Sequence, residues 1–321
     1  MAALYQLSLV IDKMNPKQSM PMPMVEFLFL TTGDSFKTIS LSYRVGHSTV
    51  VQIIKETCRA IVNRLINEVM PQPNEGTWKS IAHEFQNLWK FPNCIGAVDG
   101  KHVTIEAPAN SGSVYFNYKK TYSIVLLALV DAHYNFIFID VGSYGRNSDG
   151  GIFGNSSLGQ RLNNSSLNIP IGKHLPNTTI TAPYVIVGDE AFPLKTYLMR
   201  PYPRDQAAAN SSNAYFNQRL TLARRLVENA FGILTQKFRI YSRRIKSKPE
   251  NVDYIILSTC VLHNFLRQRN DIGYLRQDST ATTDNSLRPL PAHIGRPSNN
   301  GFEVRETFKN YFVSERNNEI M

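Results

Sequence analysis

Cys94-Ile-Gly-Ala-Val-Asp-Gly-Lys-His-Val-Thr-Ile-Glu106 is the stretch on which the fold turns. Its apolar residues fall into two short blocks, Cys94–Val98 and His102–Glu106, and both read as strands. Asp99-Gly100 between them is a residue pair favoured in tight hairpins, so the spacing predicts a hairpin turn there. Two further strands are expected over Tyr122–Asp131 and Asn135–Val141, which makes three sequential antiparallel strands. After a stretch rich in Gly, Asn and Ser, Tyr184-Val-Ile-Val187 predicts a short apolar strand ending at Gly188-Asp189. Helical periodicity then covers Asn217–Phe238 and Asp253–Gln268. The segment thus mixes strands with long helices.

Upstream, Ile39-Ser-Leu-Ser-Tyr-Arg-Val-Gly-His-Ser-Thr-Val-Val-Gln-Ile-Ile54 has the cadence of a helix-turn-helix, with a break around Tyr43–Gly46 and Ser48 placed to cap or begin the second helix. Val50, Ile53 and Ile54 recur at helical spacing and would bury against Phe36, Ile39 and Val25–Leu30. His47, Thr49, Gln52 and Lys55 are left facing outward, where they can donate to phosphates and base edges. A plain three-helix bundle has the same cadence. The chain thus divides into a Met/Pro-rich leader (1–23), a small all-α helix-turn-helix-like segment (24–68), a linker helix (69–90), a mixed segment (91–266) and a polar tail (267–321). The tail has no sustained apolar periodicity and is expected to be disordered or loosely packed.

Across 321 residues, 35 basic and 25 acidic side chains give a net charge of +10, with 42% hydrophobic and 19% charged residues. That composition folds, and its basic excess points to a polyanionic partner. Between Met199 and Arg269 stand 13 basic and 4 acidic residues, so nearly all of the excess lies in one stretch. Cys58, Cys94 and Cys260 are odd in number and widely separated, which argues against a disulfide framework or a Cys-rich zinc site. The longest apolar run, Ile124–Val130, is far shorter than the roughly 20 residues a membrane helix needs, and the N-terminus lacks the pattern of a signal peptide. A protein neither secreted nor membrane-spanning is expected.

Asp99, Asp189 and Glu228 are distant in sequence and can converge only in the fold. Converging carboxylates suit a hard divalent cation such as Mg2+ or Mn2+, and a pair of such ions can assist phosphodiester cleavage. Each also has an ordinary reading: Asp99 and Asp189 as turn residues, and Glu228 as the exposed ion-pair partner of Arg224 or Arg225, four and three residues before it. Glu228 lies just off the apolar face formed by Leu220, Ala223, Val227, Ala230, Phe231 and Leu234, and Gly232 beside it leaves room.

Several motifs carry a resemblance, in order: Gly96-Ala-Val-Asp-Gly-Lys-His102, Tyr118 with Tyr122-Ser-Ile-Val125, Asp140-Val-Gly142, Ser148-Asp149, Val187-Gly-Asp-Glu-Ala-Phe-Pro-Leu194, Leu198-Met-Arg-Pro-Tyr202, Ala223–Leu234 and Leu262-His-Asn264. Together they resemble the PIF/Harbinger transposases and the nucleases derived from them. Residues 33–49 are similar to that family's helix-turn-helix region. The resemblance implies an α/β fold, a ribonuclease H-like mixed sheet flanked by helices, in which Asp99, Asp189 and Glu228 form a DDE triad on divalent metal. Asp149 matches a further acidic position and is a weaker candidate ligand. His102 matches a family histidine that could contact metal or phosphate, although a strand histidine is more often structural, and His263 reads as a core histidine. The leader is shorter and less helical than in relatives, and Asn217-Gln-Arg219 replaces a more basic stretch.

The function expected is a metal-dependent DNA nuclease, with Arg224, Arg225, Arg243, Arg244 and Lys246 neutralising phosphates. Arg243–Lys248 also fits a solvated face or a nuclear-import signal. The alternative is a catalytically silent transposase descendant acting as a DNA- or chromatin-binding adaptor. The resemblance further implies a separately encoded Myb-like partner and a nuclear location, with a cytoplasmic pool also allowed.

Overall fold

Strand β1 runs unbroken from Cys94 to Thr104, straight through Asp99-Gly100. The expected hairpin does not form there, because both edges of this strand are taken. Antiparallel β2 (Ser123–Val130) pairs with it from Ala97↔Val130 to Thr104↔Ser123. On the other edge, parallel β6 (Val185–Val187) covers Cys94–Ala97, and β8 (Arg288–Pro289) covers Lys101 and His102. A turn at Asp99 would strip partners from buried backbone amides at about 1–3 kcal/mol each. Gly96 adds a local requirement: its φ is +158°, and a Cβ there would meet Leu129 Cδ1 at 2.6 Å.

This computed structural model describes residues 22–145, 149–269, 287–289 and 298–320. The main sheet has the order β3-β2-β1-β6-β7, where β3 is Phe136–Tyr144 and β7 is Leu198–Met199, with β8 beside β1. It is antiparallel on the β2 side of β1, while the other side carries parallel β6 and the short antiparallel β8, the mixed sheet expected. All eight residues of β2 are buried, as in a strand covered on both faces. Helix α4 (Glu75–Trp89) and the long helix α8 (Ser211–Lys237) pack on β1, while α9 (Pro249–Gln268) packs on β3. Short helices α5 (Asp149–Asn155), α6 (Ser157–Asn163) and α7 (Arg204–Ala209), a β4–β5 ladder (Lys173–His174 with Thr181–Ala182) and a 3-10 turn (Arg239–Ser242) complete the connections. Among the described residues, no helix is long and apolar enough to cross a membrane.

The N-terminal helices are α1 (Met22–Thr32), α2 (Phe36–Tyr43) and α3 (His47–Val69). Ser35 caps α2 by accepting the Thr38 N–H at 3.1 Å, and Arg44 ends that helix in the left-handed region at φ 53°. Ser48 lies inside α3 rather than capping it; Gly46 is the N-cap and contributes no side chain. Val50, Ile53 and Ile54 are buried as their spacing predicts, and α3 lies along α9, so one hydrophobic cluster runs from Val25 through the sheet to Phe312. Inside it sits Glu26, buried, accepting from Cys58 Sγ at 3.3 Å, its carboxyl pushed by burial up to about 8.

The tail needs correction where it is described. Residues Asn299–Ile320 form helix α10, and its Phe308 and Phe312 are fully buried. Phe91 lies 5.5 Å from Phe308 and 5.1 Å from Phe312, while Arg219 of α8 stacks over Phe312. Arg305 donates to Pro201 O, tying the helix to the loop beyond β7. Phe308, Tyr311 and Phe312 are the apolar spacing that the polar sequence around them conceals.

Phe312→Ala is expected to destabilise the chain by about 3–5 kcal/mol, read by chemical denaturation. Glu26 is neutral in the folded chain and ionised when unfolded between its two values, so stability falls as pH rises from about 4.5 to about 8. Glu26→Gln is expected to remove that slope, gaining on the order of 2–4 kcal/mol by pH 8 in melts compared pH by pH.

Candidate active site

Asp99 stands in the middle of β1, with its backbone opposite Ala128 of β2. Strand alternation puts its side chain on the same face as Ala97 and Lys101, and Lys101 Nζ lies 5.7 Å from the Phe231 ring of α8. The carboxylate is buried. Its Oδ1 accepts the Gly100 N–H at 2.8 Å, and its Oδ2 faces Lys101 Nζ at 2.7 Å, an ion pair at an angle that makes no hydrogen bond.

Asp189 follows the carboxyl end of β6, which is the neighbour of β1 in the sheet. Its Oδ1 accepts the Ala191 N–H at 3.0 Å, so the turn after the strand is closed by the side chain itself. Gly188 before it has little room, since a Cβ would come within 3.1 Å of Phe192 and 3.2 Å of Val98. Arg200, buried at the end of the next strand, donates to the carbonyls of Glu190 and Phe192 at 3.4 and 3.2 Å and so holds the turn that aims Asp189.

The two aspartates feel one another. Burial, and then the charge of Asp99, push the Asp189 carboxyl up to about 6, against the pull of the Ala191 N–H, Arg224 and Lys101. Arg224 projects from α8, and its Nη1 meets Glu228 Oε1 at 2.7 Å one helical turn on. The ordinary ion pair foreseen for Glu228 is therefore present. In this conformation Glu228 is engaged by Arg224, and among the described residues no three His, Cys, Asp or Glu side chains are grouped to hold a metal ion. Asp149 opens α5, and its side chain lies outside the described residues.

As donors, Asp99 and Asp189 fit a hard divalent cation: two carboxylates in mutual repulsion, with a buried Oδ2 whose near neighbour is a cationic side chain. Glu228 holds Arg224 through Oε1 and is not grouped with the two aspartates in this conformation. His102 has a different task, since it is buried on the other face of β1 and its Nδ1 lies 2.9 Å from Ser123 Oγ. His263 contacts Tyr134 O through Nε2 at 2.8 Å, and burial pushes it down to about 3, so it is a neutral core histidine, as expected.

Lys101 and Arg200 are the residues that sequence reasoning missed. Lys101 follows Asp99 by two positions, and a strand read as continuous would have placed both on one face. Arg200 carries no comparable local signal. Among the basic candidates, Arg243, Arg244 and Lys246 are exposed and join His47, Lys37 and Asp34 around a cleft of about 600 Å3 between the helix-turn-helix and the segment after α8. Thr49 and Gln52 are exposed on α3 and Lys55 is half-buried, with Gln52 bonded to Glu56. Arg225 is exposed on α8.

Comparison with known proteins bears on the same segment. The profile described as the DDE superfamily endonuclease matches residues 98–264. The chain is 28% identical over 287 residues to Protein ALP1-like of Arabidopsis thaliana, covering 81% of this chain and 66% of that one. It is 27% identical over 252 residues to the protein named Antagonist of Like Heterochromatin Protein 1 from the same plant, covering 78% and 62%. It is 24% identical over 239 residues to the candidate nuclease HARBI1 of Homo sapiens, covering 74% and 64%. The chain thus spans just under two thirds of the length of these relatives. No solved structure matches.

With its value raised, Asp189 favours the folded state fully below about pH 4 and loses that contribution as pH rises through about 6. Asp189→Asn, which keeps the acceptor for Ala191, is expected to be more stable than the native chain by about 1–3 kcal/mol at pH 7.5 and equal to it near pH 4. Chemical denaturation at both pH values in chelator-treated buffer measures this.

Proposed function

Because the chain belongs to the DDE superfamily endonucleases, we propose that it is a divalent-metal-dependent nuclease of transposase descent acting on DNA phosphodiesters. Its mixed sheet flanked by helices is the ribonuclease H-like core of that family. The observation that carries the reading is the placement of Asp99 on β1 and of Asp189 just past the end of neighbouring β6, close enough for the charge of Asp99 to act on Asp189.

Asp99 and Asp189 are the proposed ligands, Glu228 the third, and Asp149 a further one. Bound there, Mg2+ or Mn2+ supplies Lewis-acid charge to the attacking and leaving oxygens of the phosphodiester. Arg224 has two anionic partners to choose between, Glu228 and an incoming phosphate, and turning to the phosphate frees Glu228. Lys101 fixes the orientation of Asp99 through their ion pair. Arg225 extends the cationic surface of α8. Arg243, Arg244 and Lys246 beside His47 form a cleft suited to the sugar-phosphate backbone, while Thr49, Gln52 and Lys55 are the proposed contacts of α3. A Myb-like accessory protein and a nuclear location, with a cytoplasmic pool, belong to the same proposal.

A second reading, an adaptor that binds DNA or chromatin without cutting, draws on the Arg224–Glu228 and Lys101–Asp99 pairs, which already neutralise two of the three acids. The name of the second Arabidopsis relative, which speaks of antagonising a heterochromatin protein, accords with it.

Nicking of duplex DNA by the purified chain in Mg2+ or Mn2+ decides between them. Asp99→Asn and Asp189→Asn are each expected to lower the rate at least about a hundredfold, equivalent to several kcal/mol of lost charge stabilisation. Native activity no greater than that of either variant would remove the nuclease reading and leave the adaptor.

A further inference from the structure

Nine large hydrophobic side chains stand exposed among the described residues, and four of them, Val114, Phe116, Tyr118 and Tyr144, gather at one corner. Three sit on the connection between β1 and β2, residues 105–122, which exceeds the roughly 12–15 residues beyond which an irregular loop usually has a task. Phe116 is 39% and Tyr118 50% exposed. Each ring rests on a neighbour: Phe116 meets Tyr122 edge-on at 5.3 Å, and Tyr144 meets Tyr115 at 5.1 Å.

The loop is rigid beneath them. Asn117 is buried between Phe116 and Tyr118, and its Oδ1 accepts the N–H groups of Lys119 and Thr121 at 3.0 and 3.1 Å. Its Nδ2 donates to Ser123 Oγ at 2.9 Å, and Ser123 in turn contacts His102 Nδ1. Tyr118 lies 5.9 Å from the His102 ring. The two rings are thus presented by backbone already fixed, at little entropic cost to a ligand.

The surrounding charge identifies the ligand class. Lys119 Nζ sits 5.4 Å from the Tyr118 ring, Lys120 follows it exposed, and no acidic residue occurs between Glu106 and Asp131. Ile105 bridges to Ile245, and Glu106 pairs with Lys246, so the start of the same connection adjoins the basic segment Arg243–Lys248. His102 is three residues, about 10 Å, along β1 from Asp99 and on the opposite face of that strand. Aromatic faces interleaved with ammonium groups bind unpaired nucleobases by stacking while the cations take the phosphates, whereas a protein-docking patch needs no such cations.

We propose that the loop bearing Phe116 and Tyr118 is a stacking platform for an unpaired base of a DNA strand bound by this chain, with Lys119 and Lys120 on the flanking phosphates. This rests on the DNA-cutting reading above. The test uses the full chain with fluorescein-labelled DNA at low salt, comparing a blunt duplex with the same duplex splayed at one end. The native chain is expected to prefer the splayed DNA. Phe116→Ala combined with Tyr118→Ala is expected to weaken splayed binding about tenfold or more, leaving blunt binding and thermal melting unchanged. Tyr118→Trp, which keeps a stacking face, is expected to retain the preference. Equal splayed binding by native and double variant, with blunt binding intact, overturns the platform but not the nuclease. No binding of either DNA by the native chain removes both. Loss of self-association by the double variant at unchanged DNA affinity makes the corner a protein interface and overturns the proposal.

Discussion

Repulsion between the carboxylates of Asp99 and Asp189, held close by neighbouring strands, is the interaction around which the rest of the molecule is arranged. A pair of anions inside a sheet is costly unless counter-charge is at hand. The chain provides it from two directions. Lys101 comes from the same strand and is steered by the Phe231 ring, and Arg224 comes from the long helix. The turn carrying Asp189 is closed by its own oxygen and clamped from below by Arg200, so the acid cannot swing away to relieve the repulsion. What the scaffold maintains is two neighbouring acids whose counter-charge comes from side chains, Lys101 and Arg224, rather than from fixed backbone alone.

Much of this was legible in the sequence, for identifiable reasons. Apolar periodicity located the helix-turn-helix, since Val50, Ile53 and Ile54 have a single face to bury. The run around Ile124–Val130 could only be an interior strand, and Tyr184–Val187 delivered Asp189 to a strand end. The misreadings arose where distant partners overruled local preference. Asp-Gly is a turn pair by itself, yet hydrogen-bonded strands on both edges of β1 hold it extended. Helix α10 was hidden because Phe308, Tyr311 and Phe312 occupy one short face of a polar segment, and their value appears only when Phe91 and Phe216 are set against them. The Arg224–Glu228 pair was legible as an ordinary possibility, but that Arg224 also acts on Asp189 follows from the packing of α8 on the sheet.

The helix-turn-helix and the sheet are tied together more closely than a string of modules would be. Helix α3 buries its apolar face along α9, which itself packs on β3, and the segment after α8 closes a cleft with the turn before α2. The geometry by which one polyanion could touch both is set by side-chain packing.

The short strand Arg288–Pro289 gives the tail a second significance. It lies against Lys101 and His102, where β6 no longer reaches, and supplies the last backbone partners for the middle of β1. Without it, this half of the strand would present bare amide donors and acceptors beside buried Asp99, open to water or to the edge of another chain. A polar segment that looks expendable by composition thus acts as a selvedge for the sheet, and keeps the most highly charged part of the interior from becoming a seam for aggregation.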